Sequence, residues 1–193
     1  MTQVTPSLAA VDKFDASHSK QLDDAAAEAI AKRETPGAVI VAGTSSEILF
    51  ARAYGHFTYD AKSPAVTLDT DYDMASLSKV LGTAPSIMIL WDRHKLDVND
   101  PVAKYIPGMN RPDKKQITIA NCLTHSSGFE GDNPMSDYKD GPEAGLEGIW
   151  RSKLRYPTGK GYIYSDLNFI TLGEVVKAVS GEPLNKFAEA NVF

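Results

Sequence analysis

Only two stretches of this chain read as β-strands, and both fall in its first third. Ala38-Val39-Ile40-Val41-Ala42 is a short run rich in β-branched residues, and Glu47 to Tyr54, with Ile48, Leu49 and Phe50, is a second. The turn residues Gly43 to Ser46 between them make the pair a hairpin. One helix precedes it: Leu22, Ala25, Ala26, Ala29 and Ile30 recur at helical spacing between Gln21 and Arg33, with Ser17 or Ser19 as cap and Pro36-Gly37 as break. Every later pattern is helical. A lone hairpin is marginal and needs further strands or a packing layer. The expectation is therefore an α/β (α+β) chain that forms the front part of a longer protein, with the remaining strands after Phe193. Three segments follow: a loose lead-in over 1–15, a partial α/β domain over 16–60 and a helical domain over 61–193.

Within the helical part, a long central helix is expected from about Ser76 to Arg93. Val80, Leu81, Ala84, Ile87, Met88 and Trp91 form its apolar stripe, and Gly82 and Pro85 predict a bend. A short helix near Val102–Tyr105 comes next. Thr118 can cap a helix Ile119–Thr124 that His125-Ser126-Ser127-Gly128 would end. Residues 129–145, rich in Gly, Asp and Pro, read as a surface loop before a helix near Leu146–Leu154. After the turn Pro157–Gly161, Tyr162 to Asp166 reads as irregular. Asn168 to Val179 is helical with Gly181 as its stop, and Pro183 to Phe193 starts another helix.

Bulk properties exclude several functions. The net charge is −5 and no stretch is strongly basic, which argues against a nucleic-acid surface. No apolar run reaches membrane-spanning length. The single cysteine, Cys122, forbids an intrachain disulfide and reads as a buried small side chain. Met1 to Ala10 lacks the basic-then-apolar order of a signal peptide, so the compartment stays open between cytosol and, had a signal been removed, periplasm or secretion. Asp97, Asp100, Asp132 and Asp137 match no calcium-loop spacing and read as solvated carboxylates. No cofactor or metal is expected.

The chemistry centres on Ser76-Leu77-Ser78-Lys79. A hydroxyl at a helix start and an amine one turn later share a face and can act as nucleophile and base. Backbone N–H groups at that helix end suit the oxyanion of an acyl-transfer intermediate. The tetrapeptide alone is weak. Ser-x-x-Lys also occurs at Ser17 and Ser136, and Ser76 could equally be an N-cap with Lys79 solvated. Tyr164, in Tyr164-Ser165-Asp166, could relay a proton to a leaving group or be a core aromatic. His125 could join Ser76 in a triad, but it reads better as a helix-end histidine; no Gly-x-Ser-x-Gly elbow exists.

The segments together resemble the serine β-lactamase and penicillin-binding-protein superfamily, nearest its class C-like esterases. The matching pieces are Thr35-Pro36-Gly37-Ala38, Met74 to Lys79, Lys95 to Val102, Ile117-Thr118-Ile119 with Leu123 to Gly128, and Pro157 to Gly161 with Tyr164 to Phe169, in the family's order. The resemblance implies that Ser76 attacks an acyl carbonyl, Lys79 takes its proton, Tyr164 serves the leaving group and the deacylating water, and the Ser76 N–H binds the oxyanion. It assigns Asp166 to substrate binding. The family's Lys-Thr-Gly or His-x-Gly strand motif and its second oxyanion donor have no counterpart in the sequence. Asp166 stands where class C β-lactamases carry Asn; an ionised Asp cannot donate to a substrate amide, and beside Lys79 it favours the charged amine. The implied substrates are, in order, esters, D-amino-acid peptides or amides, and β-lactams. The alternative is a non-catalytic relative that binds peptidoglycan-like ligands or needs a complementary C-terminal segment.

Overall fold

The computed structural model describes residues 9–193. The chain divides into two compact units, one ending at Asp73 and one beginning at Met74.

In the first unit, helix α1 (Ala16–Ala31) accompanies a three-stranded antiparallel sheet of β1 (Val11–Asp12), β2 (Gly37–Gly43) and β3 (Ile48–Gly55), in the order β1-β3-β2. The hairpin is as expected, with Val41 opposite Ala51. The lead-in is not wholly loose: Val11 pairs with Ala51 from the other side, which places β3 in the middle and buries Phe50 and Ala51. The lead-in residues 1–8 lie outside the described residues. Neither expected serine caps α1. Asp15 does, accepting from the Ser17 N–H at 3.0 Å and the His18 N–H at 3.2 Å. The serines are engaged elsewhere, because the Ser17 hydroxyl donates to Asp15 and that of Ser19 to Asp12. Arg52 of β3 ties α1 to the sheet through Asp23 (2.5 Å) and Asp12 (2.7 Å).

The second unit is helical. A π-helical turn (Lys79–Thr83) leads into α2 (Ala84–Asp92); α3 (Ile119–Leu123), α4 (Pro142–Arg151), α5 (Asp166–Ser180) and α6 (Leu184–Asn191) follow, with short 3-10 turns between them. Helix α5 packs on α2, α3 and α6 and carries much of the core through Leu167, Leu172, Val175 and Val176. Gly181, at φ 81°, ends it in the left-handed conformation that a side chain would resist.

Three expectations need correction here. The irregularity foreseen at Gly82 and Pro85 takes the form of the π turn. Pro85 has no N–H, its ring would meet the carbonyl four residues back, and the Ala84 N–H reaches back to Lys79 instead. Only part of the expected apolar stripe is buried, Ile87 in the core and Ala84 against it. Val80, Leu81, Met88 and Trp91 are solvent-facing, whereas Thr83, Ser86, Ile87 and Leu90 are buried. The Ser86 hydroxyl donates to the Gly82 carbonyl at 2.8 Å, so burying it leaves no unmet donor. The loop over 129–145 is partly anchored: Phe129 and Asn133 are buried, the Tyr138 hydroxyl donates to Asn133 at 2.6 Å, and α4 begins already at Pro142.

The expected cap of α3 is present as a reciprocal box. The Thr118 hydroxyl oxygen accepts from the Asn121 N–H at 3.1 Å, and the Asn121 side chain accepts from the Thr118 N–H at 3.0 Å. Cys122 on the same helix is buried, and burial pushes its thiol up to about 12. Asp100 holds a turn together, accepting from the Asp97 N–H, Lys104 and Tyr105 at 2.9, 2.8 and 2.5 Å.

Candidate active site

Three short pieces of the second unit meet at one place: the turn into the π helix, the end of α3 and the start of α5. The first supplies Ser76 and Lys79. Ala75, just before Ser76, has φ 43°, a left-handed conformation unusual for a residue with a Cβ. The chain then tightens, with the N–H groups of Leu77, Ser78 and Lys79 donating to the carbonyls three residues back. This sharp entry leaves Ser76 at the surface and brings Lys79 over it. The Lys79 ammonium donates to Ser76 Oγ at 3.1 Å.

The start of α5 supplies the other side. The Asp166 N–H donates to the Gly131 carbonyl at 2.8 Å and the Ser165 hydroxyl to the Glu130 carbonyl at 2.5 Å, so the segment before the helix is pinned to the start of the 129–145 stretch. Ser165 and Leu167 point inward and are buried, which turns Tyr164 and Asp166 outward, each 48% exposed. Tyr164 is therefore not a core aromatic. The Asp166 carboxylate lies 2.7 Å from the Lys79 ammonium, whose side chain is only 14% exposed. The same ammonium sits 5.0 Å from the centre of the Tyr164 ring.

The electrostatics follow from these contacts. Burial works against the charge on Lys79, but hydrogen bonds to Asp166 and Tyr164 outweigh it and hold the ammonium above the ordinary lysine range. Tyr164 moves the opposite way. Hydrogen bonds to Ser76 and then to Lys79 bring its phenol below the ordinary tyrosine value. A cavity of about 660 Å³ opens beside the pair, with Ser76, Lys79, Thr83, Asp166, Phe169 and Leu184 in its wall.

All four residues singled out from the sequence, Ser76, Lys79, Tyr164 and Asp166, thus come together. His125 joins them, though not as a base for Ser76. Its Nδ1 accepts from the Ser165 N–H at 3.0 Å, which leaves the ring proton on Nε2. Burial, and then the charge of Lys79, lower its pKa and favour that neutral form. Sequence reasoning read His125 correctly as the end of α3, where it adopts φ 56°, but missed that its ring enters the site. Ala75 was also missed; no property of an alanine announces a left-handed backbone.

The model of the family described as Beta-lactamase matches residues 22–193, and the chain belongs to this family of serine hydrolases. A protein of Escherichia coli (strain K12), provisionally named a D-alanyl-D-alanine carboxypeptidase, is 32% identical over 167 residues, which cover 77% of this chain and 38% of that relative. The fold is similar to that of a Beta-Lactamase/D-Alanine Carboxypeptidase from Pseudomonas syringae (TM-score 0.80, 18% identity, 92% of this chain and 49% of that one). It is also similar to EstCE1, a hydrolase with promiscuous acyltransferase activity (TM-score 0.76, 24% identity, 90% and 50%). The chain thus spans about two-fifths of that curated relative and half of each of these structures.

Proposed function

We propose that the whole protein is a serine acyl hydrolase that forms an acyl-enzyme on Ser76, with ester hydrolysis as its first activity. The observation that carries this reading is the Lys79 ammonium, within hydrogen-bond reach of both Ser76 Oγ and the Asp166 carboxylate. Ser76 Oγ attacks the acyl carbonyl while its proton passes to the basic pair formed by Lys79 and Tyr164. Because Asp166 favours the charged lysine, Tyr164 is the better acceptor: Lys79 stabilises its phenolate, which becomes the neutral phenol as it takes the Ser76 proton. The oxyanion that forms is met by the Ser76 backbone N–H and the positive field of Lys79. Tyr164 then gives its proton to the leaving oxygen and takes one from the water that releases the acyl group.

Asp166 orders the substrates. As an ionised acceptor it offers nothing to a substrate amide oxygen, which favours esters over amides. Hydrolysis of D-amino-acid peptides is the second reading, supported by the name of the Escherichia coli relative, and β-lactam hydrolysis the third.

Treatment with a fluorophosphonate, followed by mass spectrometry, tests the proposal. One adduct on Ser76, absent from Ser76→Ala, is expected, together with faster turnover of a p-nitrophenyl ester than of a D-alanyl-D-alanine peptide. Labelling elsewhere, or equal ester turnover by wild type and Ser76→Ala, rejects the nucleophile. A protein that binds peptidoglycan fragments but never labels is the non-catalytic relative instead.

A further inference from the structure

His125 grips the segment carrying Tyr164 at two points. Its backbone carbonyl accepts from the Ile163 N–H at 3.1 Å, and its Nδ1 accepts from the Ser165 N–H at 3.0 Å. These two amides flank Tyr164 on either side. Its ring also lies against that of Tyr164, with centroids 4.6 Å apart, and against Phe169 at 5.2 Å. The segment itself has no regular secondary structure, so no ladder or helix fixes Tyr164. Asn168, fully buried on the first turn of α5, has its Nδ2 3.4 Å from the same Nδ1. The histidine in turn is held by the end of α3, whose capping box fixes where that helix starts.

We propose that His125 is a positioning residue, which in its neutral form holds the Tyr164 phenol against Ser76 and Lys79 and loosens it when the ring is protonated. The logic is that of a single lone pair. The Ser165 N–H can only donate, so Nδ1 must be unprotonated to receive it; a protonated ring sets two N–H groups against each other. The charged and titratable groups facing the ring are Lys79 from the π turn, Asp166 from the start of α5, and Tyr162 and Tyr164 from the segment itself. Burial and Lys79 both disfavour a second positive charge there, so the grip is intact at neutral pH. This assignment rests on the proposed role of Tyr164.

Two variants separate the hydrogen bond from the packing. His125→Phe keeps a ring but has no acceptor; His125→Asn puts an amide oxygen close to where Nδ1 sits and does not titrate. On the 193-residue chain, the fluorophosphonate labelling rate of Ser76 should fall about 100-fold in His125→Phe, the size of loss expected when a catalytic group is displaced by about 1 Å. It should recover to within roughly 5-fold of wild type in His125→Asn. In wild type that rate should also drop on acidification below the ordinary histidine range near 6.5, and His125→Asn should lose this limb.

A second readout needs no catalysis. Tyr164 ionisation, followed as the tyrosinate absorbance lost in Tyr164→Phe, should move up toward the ordinary tyrosine value in His125→Phe and stay put in His125→Asn. If His125→Phe folds and leaves Tyr164 ionisation unchanged, the proposal fails. It also fails if a folded His125→Asn behaves like His125→Phe. A wild type that never labels, but shows these Tyr164 shifts, rejects the hydrolase reading and leaves the positioning role standing.

Discussion

The Asp166 carboxylate and the Ser76 hydroxyl share one partner, the Lys79 ammonium, at 2.7 and 3.1 Å. Asp166 therefore raises the proton affinity of Lys79 directly, and its negative charge also works against ionisation of Tyr164. Asp166→Asn removes both effects, and both groups then lose their protons at lower pH. The alkaline rise in Ser76 labelling should shift toward neutral pH, and labelling at pH near 7 should be faster than in wild type. A pH profile of the labelling rate checks this; an unmoved profile means that neither group limits the step.

Ala75 takes φ 43° immediately before the nucleophile. Glycine enters that region without penalty, whereas a β-branched side chain meets its own backbone. Ala75→Gly should hold or raise stability by up to about 1 kcal/mol. Ala75→Val should lose about 1–3 kcal/mol and slow labelling more than the stability loss explains. Urea denaturation and labelling, measured on both variants, test the two parts separately.

Gly128 sits three residues after His125 with φ 95°, and a Cβ there would run into the Tyr156 carbonyl. Its own carbonyl accepts from the Arg155 N–H at 2.7 Å, so the contact cannot be relieved by moving the two strands of chain apart without losing that bond. Gly128→Ala should cost roughly 3 kcal/mol from backbone strain and overpacking. Thermal melting measures it, and a loss below 1 kcal/mol would show that the local backbone relaxes.

Asp100 accepts from Lys104, Tyr105 and the Asp97 N–H, and these bonds lower its carboxyl to about 2. Protonation is thus easier in the unfolded chain, whose aspartates titrate near 3.9. The stabilisation is present above that value and is lost as pH falls toward 2. Asp100→Asn should be less stable than wild type at neutral pH, and the gap should close below pH 4. Denaturation curves at neutral and acid pH give the comparison.

What could be read from the residues depended on whether one local pattern decided the outcome. The hairpin, α3 with its Thr118 cap and α5 with its Gly181 stop were legible because spacing, cap and breaker agree there. Asp15 displaced the expected serine caps because its carboxylate serves two amides and the Ser17 hydroxyl at once. The buried face of α2 was legible only at Ala84 and Ile87: nothing local tells that Ser86 satisfies itself at Gly82 while Trp91 and Met88 face solvent. In the site, Ser76, Lys79, Tyr164 and Asp166 were legible as residue types in a recurring order. The grip of His125 on the amides around Tyr164 was not, because it joins positions 40 apart through a ring nitrogen and the backbone.

The π turn over Lys79–Thr83 gives the central helix one more residue than an α turn would hold. Each residue of an α-helix advances the direction of its side chains by about 100°. Ser76 and Lys79 lie at or before that turn, while Ile87 and Leu90, which fix the helix to the core, lie after it. The surplus residue therefore sets the angular phase between the reactive pair and its anchor. Asp166 is fixed to the same core through α5, and the segment carrying Tyr164 is held by hydrogen bonds to His125, so the pair meets them only at that phase. An unbroken α-helix through this stretch would keep Ser76 and Lys79 facing each other, yet aim both away from Tyr164.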